Sequence, residues 1–313
     1  MTQNLAFLIN PDSTTVRKKG SILSQIEAPL TRNLYQITSF ETLPSVFDEI
    51  ANQNIEWIFI EGGDGTIQGF LSALLRNKDK FKILPKITLV PGGLTNQIAR
   101  NIGLKHRSLT RLQKLITDGP KNVKQTPMLH ISITDHSDLY GFLFSSGAMP
   151  MATHYYTDQI HSQKKSGAMA VAQMLFKAFG GNEKTRSDIY QKTPLRLHIS
   201  TDKEETHLDQ EHLVSVVTTL PSLMLGLDPF WGDSQGPLRL TYVHGHAEKL
   251  MRNLLAVWAG RKHIDRKAEG FESFGANYLC YDYDGPLILD GEHIKWNGGR
   301  VEIRATEPIN FVS

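Results

Sequence analysis

The stretch from residue 57 to residue 75 constrains the fold more than any other, because it combines a strand, a glycine turn and a helix. Its apolar run at residues 57–60 predicts a short buried strand. The sequence GGDGT follows at residues 62–66, and after it apolar side chains recur at helical spacing. The stretch therefore predicts one strand–turn–helix unit of an α/β sheet.

The glycine turn has the composition of a phosphate-binding turn. Its glycines, Gly62, Gly63 and Gly65, lack a Cβ, so the backbone can approach a ligand closely. Amide groups of such a turn, together with those of the first helical turn after it, can bind phosphate oxygens. The anionic Asp64 would repel a phosphate, but it suits a Mg²⁺ ion, or water around one, that bridges phosphates. A plain tight turn between strand and helix is the alternative.

A second strand–turn–helix unit lies further along the chain. Residues 86–90 predict a strand, and the glycines Gly92 and Gly93 follow it. A helix is expected to begin near Thr95 or Asn96, both of which are good capping residues. The two glycine turns should therefore meet at the carboxyl edge of a parallel sheet, where α/β proteins bind their ligands.

The two motifs together resemble those of a known family. GGDGT and the sequence PGGLTNQIAR at residues 91–100 resemble the catalytic domain of diacylglycerol and sphingosine kinases, including bacterial lipid kinases of that type. GGDGT alone is shared with NAD kinases and, loosely, with phosphofructokinases. A third match is Asp290-Gly291-Glu292, at the position of a DGE motif in that family.

The resemblance implies ATP and Mg²⁺ as cofactors and assigns roles to residues. Asp290 would accept the proton of the acceptor hydroxyl, and Glu292 and Asp64 would act on Mg²⁺. The nucleotide-binding residues that it implies are Asn10, Ser13, Gly62, Gly63, Gly65, Thr66, Gly92, Gly93, Thr95 and Asn96. For Ser13, capping of a helix that runs on through Leu23 is an equally good account. For Asp290-Gly291, a hairpin turn without a catalytic role is the alternative.

The pattern of predicted elements divides the chain near residue 124. Residues 1–124 alternate strands and helices, which predicts a doubly wound parallel sheet. Residues 125–313 are dominated by strands and predict an antiparallel β-sandwich domain that carries DGE, and the last strand is left free to pack back on the first domain. Helical runs at residues 153–179 and 245–260 interrupt the strands. The first of them is rich in Met, Ala and Phe, which fits either a pocket for acyl chains or plain core.

Composition limits the partners and the location. The formal net charge is +2, so nothing indicates a nucleic-acid partner. The single cysteine, Cys280, rules out an internal disulfide framework and fits a reducing compartment. No signal peptide is visible, and the apolar stretches are too short or too interrupted to span a bilayer. We therefore expect a cytoplasmic protein, peripheral at the membrane when it meets a lipid substrate. A homodimer is compatible with the sequence.

The chain departs from the family pattern at four positions. Leu94 replaces the usual threonine, Gln97 the usual aspartate, and Gly69 a glutamate in the helix after GGDGT; Gln235 stands where the family carries an aspartate that can hold a structural Mg²⁺. Three hypotheses follow. In order of weight they are an ATP- and Mg²⁺-dependent lipid kinase, an NAD kinase-type enzyme, and a nucleotide or lipid sensor that has lost catalysis.

Overall fold

The computed structural model describes residues 4–26, 33–134, 136–153, 191–223, 228–232, 234–247, 253 and 267–313. The chain divides into two units, which are described separately. The first comprises residues 1–126 and 307–313, and the second comprises residues 127–306. The chain therefore passes from the first unit to the second after residue 126 and returns for its last seven residues.

The first unit is built on a six-stranded sheet. In chain order its strands are β1 (Leu5–Ile9), β2 (Leu34–Gln36), β3 (Trp57–Gly62), β4 (Lys86–Pro91), β5 (Val123–Thr126) and β17 (Ile309–Val312). They lie side by side in the order β2-β1-β3-β4-β17-β5. All neighbours are parallel except β17 and β5. This confirms the predicted parallel α/β sheet.

Five α-helices of the first unit connect these strands. They are α1 (Thr14–Lys19), α2 (Leu43–Asn52), α3 (Asp64–Arg76), α4 (Gln97–Ile102) and α5 (Leu109–Asp118). Short 3-10 turns occupy Leu23–Gln25, Phe40–Thr42 and Lys78–Lys80. Every residue of β1 and β3 is buried, as expected for strands covered by helices on both faces.

The second unit contains one antiparallel sheet of eleven strands. They are β6 (Leu129–Ile133), β7 (Leu139–Gly141), β8 (Leu143–Gly147), β9 (Thr193–Ser200), β10 (Glu205–Thr218), β11 (Leu238–His244), β12 (Phe271–Ala276), β13 (Tyr278–Tyr283), β14 (Leu287–Leu289), β15 (Glu292–His293) and β16 (Gly299–Ala305). The nine-strand path runs β15-β14-β8-β10-β9-β13-β16-β6-β7, and β11 joins β10 to β12 beside it. The predicted antiparallel second domain is confirmed.

Side-chain alternation explains how this sheet forms its core. Along β9 the residues Leu195, Leu197 and Ile199 are buried and join the main apolar cluster, while the residues between them are more exposed. Leu240 of β11 and Leu279 of β13 meet them in the same cluster. One face of the curled sheet thus encloses the core.

Some predicted elements differ from the observed ones. The helix expected to pass through Leu23 ends at Lys19, because Gly20 takes a φ of 76° and turns the chain. The apolar pattern predicts a strand only over residues 213–219, whereas β10 already begins at Glu205. No strand was predicted over the residues of β12. The helical runs expected at 153–179 and 245–260 lie almost entirely outside the described residues.

Candidate active site

The two glycine turns of the first unit pack directly against each other. The amide of Gly92 donates to the carbonyl of Gly62 at 2.8 Å. A Cβ on Gly93 would lie 2.6 Å from the Cα of Gly63, and a Cβ on Gly92 would lie 2.8 Å from the backbone nitrogen of Gly62. Glycine is therefore required at positions 92 and 93 by backbone contact between the turns, independently of any ligand.

Asn10 and Ser13 hold the first turn from the end of β1. The side-chain amide of Asn10 donates to Thr66 Oγ1 at 2.8 Å. Ser13 Oγ accepts from the amide of Gly63 at 3.2 Å and lies 3.3 Å from Thr66 Oγ1. Ser13 precedes α1 but makes no side-chain cap to it, so the capping account of Ser13 is wrong. Both side chains position the GGDGT turn.

Asp64 joins the two motifs. Its Oδ2 accepts hydrogen bonds from Thr95 Oγ1 at 2.6 Å and from the amide of Gln97 at 3.0 Å. Its Oδ1 accepts from the amide of Ile98 at 2.9 Å. These are first-turn amides of α4, so Asp64 caps that helix from another helix. Asn96, which the sequence offered as a cap, is in a left-handed conformation with φ 50° and makes no side-chain cap to α4.

The start of α3 is open on the side that a ligand would approach. A Cβ placed on Gly65 meets no atom within 4 Å, and its φ is not positive, so packing does not explain the glycine. Among the residues that the structure describes, the amides of Gly65 and Thr66 donate to no protein acceptor. Free amides at the N-terminus of a 13-residue helix favour an anion.

Glu61 is a buried carboxylate beside this turn that sequence reasoning missed. Its side chain is 0% exposed and forms an ion pair with Arg107 at 2.6 Å. It also accepts from Ser21 Oγ at 2.5 Å and from the amides of Ile22 and Leu23. Glu61 thereby fixes the segment after α1 against the end of β3. A carboxylate directly before a glycine turn was the available signal, but its partners lie far away in sequence.

In the second unit, Asp290 and Gly291 form the two-residue turn of a hairpin. Leu289 pairs with Glu292, and the two turn residues have φ of 51° and 93°, as a type I′ turn requires. The carboxylate of Asp290 accepts hydrogen bonds from the amides of Phe142 at 3.1 Å and Leu143 at 2.9 Å. The DGE motif is therefore a hairpin turn whose aspartate is fixed by backbone donors.

The carboxylates assigned to Mg²⁺ differ in their freedom to bind it. Asp64 uses three of the roughly four acceptor positions of a carboxylate, which leaves room for contact through water. Glu292 is exposed. In the described part of the chain, no three His, Cys, Asp or Glu side chains are grouped as a ready metal site. Each carboxylate taken by itself could contact Mg²⁺ that keeps most of its own water ligands, which is how Mg²⁺ is commonly bound.

One of the departures from the family pattern has a local explanation. A Cβ on Gly69 would lie 2.5 Å from the ring of Phe40, so a larger side chain at this position of α3 would require that partly exposed ring to move. The backbone amide of Gln235 donates to Asp202 Oδ1 at 2.9 Å, a contact that does not depend on the glutamine side chain. Leu94 is 47% exposed at the tip of the second turn. The structure gives no reason for leucine at that position.

Two glycine turns in backbone contact and the N-terminus of α3 lie together at the carboxyl edge of a parallel sheet, the edge at which α/β proteins commonly bind ligands. Residues 4–127, nearly the whole of the first unit, match the family model of the diacylglycerol kinase catalytic domain. The match confirms, over this part of the chain, the resemblance predicted from the motifs. No curated protein is significantly similar to the sequence.

Solved structures from Bacillus anthracis str. Sterne share the fold over the whole chain. One, provisionally described as a diacylglycerol kinase, has a TM-score of 0.68 at 15% identity and covers 99% of this chain and 96% of its own. A second structure, also provisionally described as a diacylglycerol kinase, has a TM-score of 0.64 at 14% identity. It covers 99% of this chain and 97% of its own. A third structure, described as a diacylglycerol kinase, has a TM-score of 0.63 at 13% identity. It covers 99% of this chain and 96% of its own. At these identities the likeness shows the fold. Among the described residues, no helix has the length and apolarity needed to cross a membrane.

Proposed function

We propose that this chain is a lipid kinase that transfers the γ-phosphoryl group of ATP to a hydroxyl of diacylglycerol, a sphingoid base or a similar amphiphile, with Mg²⁺. The observation that carries the proposal is the open N-terminus of α3 at Gly65, inside the region matched by the kinase family model. Packing accounts for glycine at positions 92 and 93 but not at position 65. The proposed nucleotide would account for glycine there.

In this proposal the first unit binds the nucleotide through its backbone. The free amides of Gly65 and Thr66 donate to phosphate oxygens, and the positive end of the α3 dipole favours their charge. Asn10, Ser13 and Asp64 keep the amides in place, because each is hydrogen-bonded to one of the two turns or to the helix after it. Such a rigid arrangement limits the cost of ordering the triphosphate.

Asp290 is proposed as the acceptor of the hydroxyl proton. Its carboxylate is held by the Phe142 and Leu143 amides, so its position is fixed before the substrate arrives. Mg²⁺, when bound, neutralises phosphate charge as transfer proceeds. Glu292 is proposed to ligate it directly and Asp64 through water, as their hydrogen-bond partners allow. The acceptor lipid is proposed to be taken from a membrane surface by a peripheral, cytoplasmic enzyme.

The test is incubation of the full chain with γ-labelled ATP, Mg²⁺ and a total lipid extract, with NAD in a parallel reaction. The expected result is label in a lipid product that depends on both protein and Mg²⁺. Label in NADP would replace the lipid proposal with the NAD kinase alternative. No label in either acceptor, with ATP bound, would favour a nucleotide sensor. The sensor, third in the order given by the sequence, is kept as a candidate because Asp64 and Asp290 both have structural hydrogen bonds.

A further inference from the structure

A hairpin of the second unit places two imidazoles and a carboxylate together, and none of the three is among the residues proposed for phosphoryl transfer. Strands β9 and β10 are antiparallel neighbours, and His198 lies directly opposite His207. The two rings are stacked, with centroids 4.4 Å apart and planes 5° apart. Glu205 Oε2 lies 2.6 Å from His198 Nε2. The three side chains therefore share one face of the hairpin.

This face is turned away from the apolar core. Leu197 and Ile199, which flank His198 in sequence, belong to the core cluster, so His198 points to the opposite side of the sheet. The side chains of His198 and Glu205 are 33% and 56% exposed. Buried polar side chains need partners because they have lost contact with water, but these side chains retain that contact. Burial therefore does not explain why they are grouped together.

The half of β10 that carries these residues is supported on one side only. Residues 205–212 pair with β9, whereas pairing with β8 begins at Val214 and pairing with β11 at His212. Strand β9 pairs on its other side with β13, so this half of β10 is a local edge of the sheet. A metal ion bridging β9 and β10 here would strengthen the attachment of that edge.

We propose that His198, Glu205 and His207 form a binding site for a divalent transition ion of the Zn²⁺ type, with water in the fourth position. Two imidazole nitrogens and one carboxylate oxygen are ligands that Zn²⁺ prefers, at about 2.0–2.2 Å each. His198 Nε2 and Glu205 Oε2 are now hydrogen-bonded at 2.6 Å, so the two atoms must move slightly apart to ligate one ion.

Binding requires a small rearrangement. In the described chain no three donor side chains are yet grouped around a common metal position. The parallel ring of His207 must turn so that a nitrogen points toward the carboxylate, and the ion then replaces the His198–Glu205 hydrogen bond. For exposed side chains such rotation between staggered rotamers has a low energetic cost.

The test uses the full chain, stripped of metal by a chelator and titrated with ZnCl₂ in a calorimeter. The expected result for wild type is one bound ion per chain and a higher unfolding temperature with Zn²⁺, since an ion that binds only the folded state stabilises it. In the double variant His198→Asn/His207→Asn we expect at least tenfold weaker binding and no thermal shift. The folding of that variant is checked without metal.

Two controls locate the ion. Cys280 lies on β13, which pairs with β9 along the edge opposite to β10, and it stands directly opposite His198. The variant Cys280→Ser therefore removes a neighbouring thiol and leaves the three proposed ligands unchanged. His106→Asn removes an exposed histidine of the first unit. Both should bind Zn²⁺ as wild type does. Equal affinity in wild type and the double variant, no binding by wild type, or a loss in Cys280→Ser as large as in the double variant would each overturn the proposal.

Discussion

Thr95 donates its hydroxyl to the carboxylate of Asp64 at 2.6 Å, and this contact ties the second glycine turn to the helix that follows the first. The same carboxylate accepts hydrogen bonds from the backbone amides of Gln97 and Ile98, so Asp64 caps α4. Asp64, which the sequence suggested as a metal ligand, therefore positions the second glycine turn and the start of α4.

The first prediction separates these two roles. Asp64→Asn should weaken ATP binding in the absence of Mg²⁺ as well as in its presence, because the second turn loses its anchor. It should also lower the free energy of unfolding by about 1–3 kcal/mol, as expected for hydrogen bonds to a charged acceptor. Thr95→Val, which removes only the hydroxyl contact to Asp64, should have a smaller effect on ATP affinity and on the free energy of unfolding. Weakened ATP binding only when Mg²⁺ is present would indicate a metal ligand instead.

The second prediction concerns the contact between the glycine turns. Gly93→Ala should destabilise the protein by about 1–3 kcal/mol, because its Cβ would lie 2.6 Å from the Cα of Gly63 and the backbone must move. Gly65→Ala is the matched control, with no atom within 4 Å and a helical position that favours alanine. Urea unfolding of both variants checks this. Equal stability of the two variants would show that the turns are not in contact.

The third prediction concerns Asp290. Asp290→Asn should lower kcat for lipid phosphorylation about 10²- to 10⁴-fold, the range for loss of a general base. Asparagine tolerates the positive φ of 51° at this position, so the hairpin should persist. ATP affinity, measured in parallel, should change little, whereas the unfolding midpoint should fall, because asparagine offers the Phe142 and Leu143 amides one neutral oxygen in place of a carboxylate. Undiminished turnover in this variant would remove Asp290 from the mechanism.

The fourth prediction follows from a buried histidine of the second unit. His212 is 0% exposed, its Nδ1 donates to the carbonyl of Thr193 at 3.0 Å, and its Nε2 lies 2.8 Å from Ser146 Oγ. A carbonyl can only accept, so Nδ1 carries a proton, and in the neutral ring Nε2 accepts from the Ser146 hydroxyl. Burial lowers the pKa of His212 from 6.5 to about 4.

Between those two values the unfolded chain binds the proton and the folded chain does not, so stability falls as the pH falls. The loss begins near pH 6.5 and is complete below about pH 4. From pH 7.5 to pH 5 the contribution of His212 should amount to about 2 kcal/mol of unfolding free energy. His212→Gln should show a pH dependence that is weaker by that amount in urea titrations. The same slope in both proteins would contradict the assignment.

Local sequence was sufficient for the elements around the glycine turns. Trp57–Gly62 and Lys86–Pro91 are short apolar runs that end in glycine, and a buried parallel strand is their expected structure. The family motifs added the kinase type. The first half of β10 was missed because its residues are polar and half-exposed, so alternation there is between polar side chains rather than between apolar and polar ones.

The roles of individual side chains depended on contacts that no local pattern contains. Asp64 meets the amides of Gln97 and Ile98 across 33 and 34 residues of sequence. Glu61 meets Arg107 across 46 residues. Neither partner could be identified without the fold, because a helix cap or ion pair at such separation leaves no periodic signal.

The most direct test of the account is the ATP affinity of wild type and Gly65→Val, measured by calorimetry with Mg²⁺. A valine at this position would fill the space over the free amides of α3 without meeting any protein atom near its Cβ. We predict that wild type binds ATP, and that the variant binds it at least tenfold more weakly while its unfolding midpoint stays within the range of surface substitutions. Equal ATP affinity in the two proteins, or no ATP binding by wild type, would contradict the phosphate site on which the kinase proposal rests.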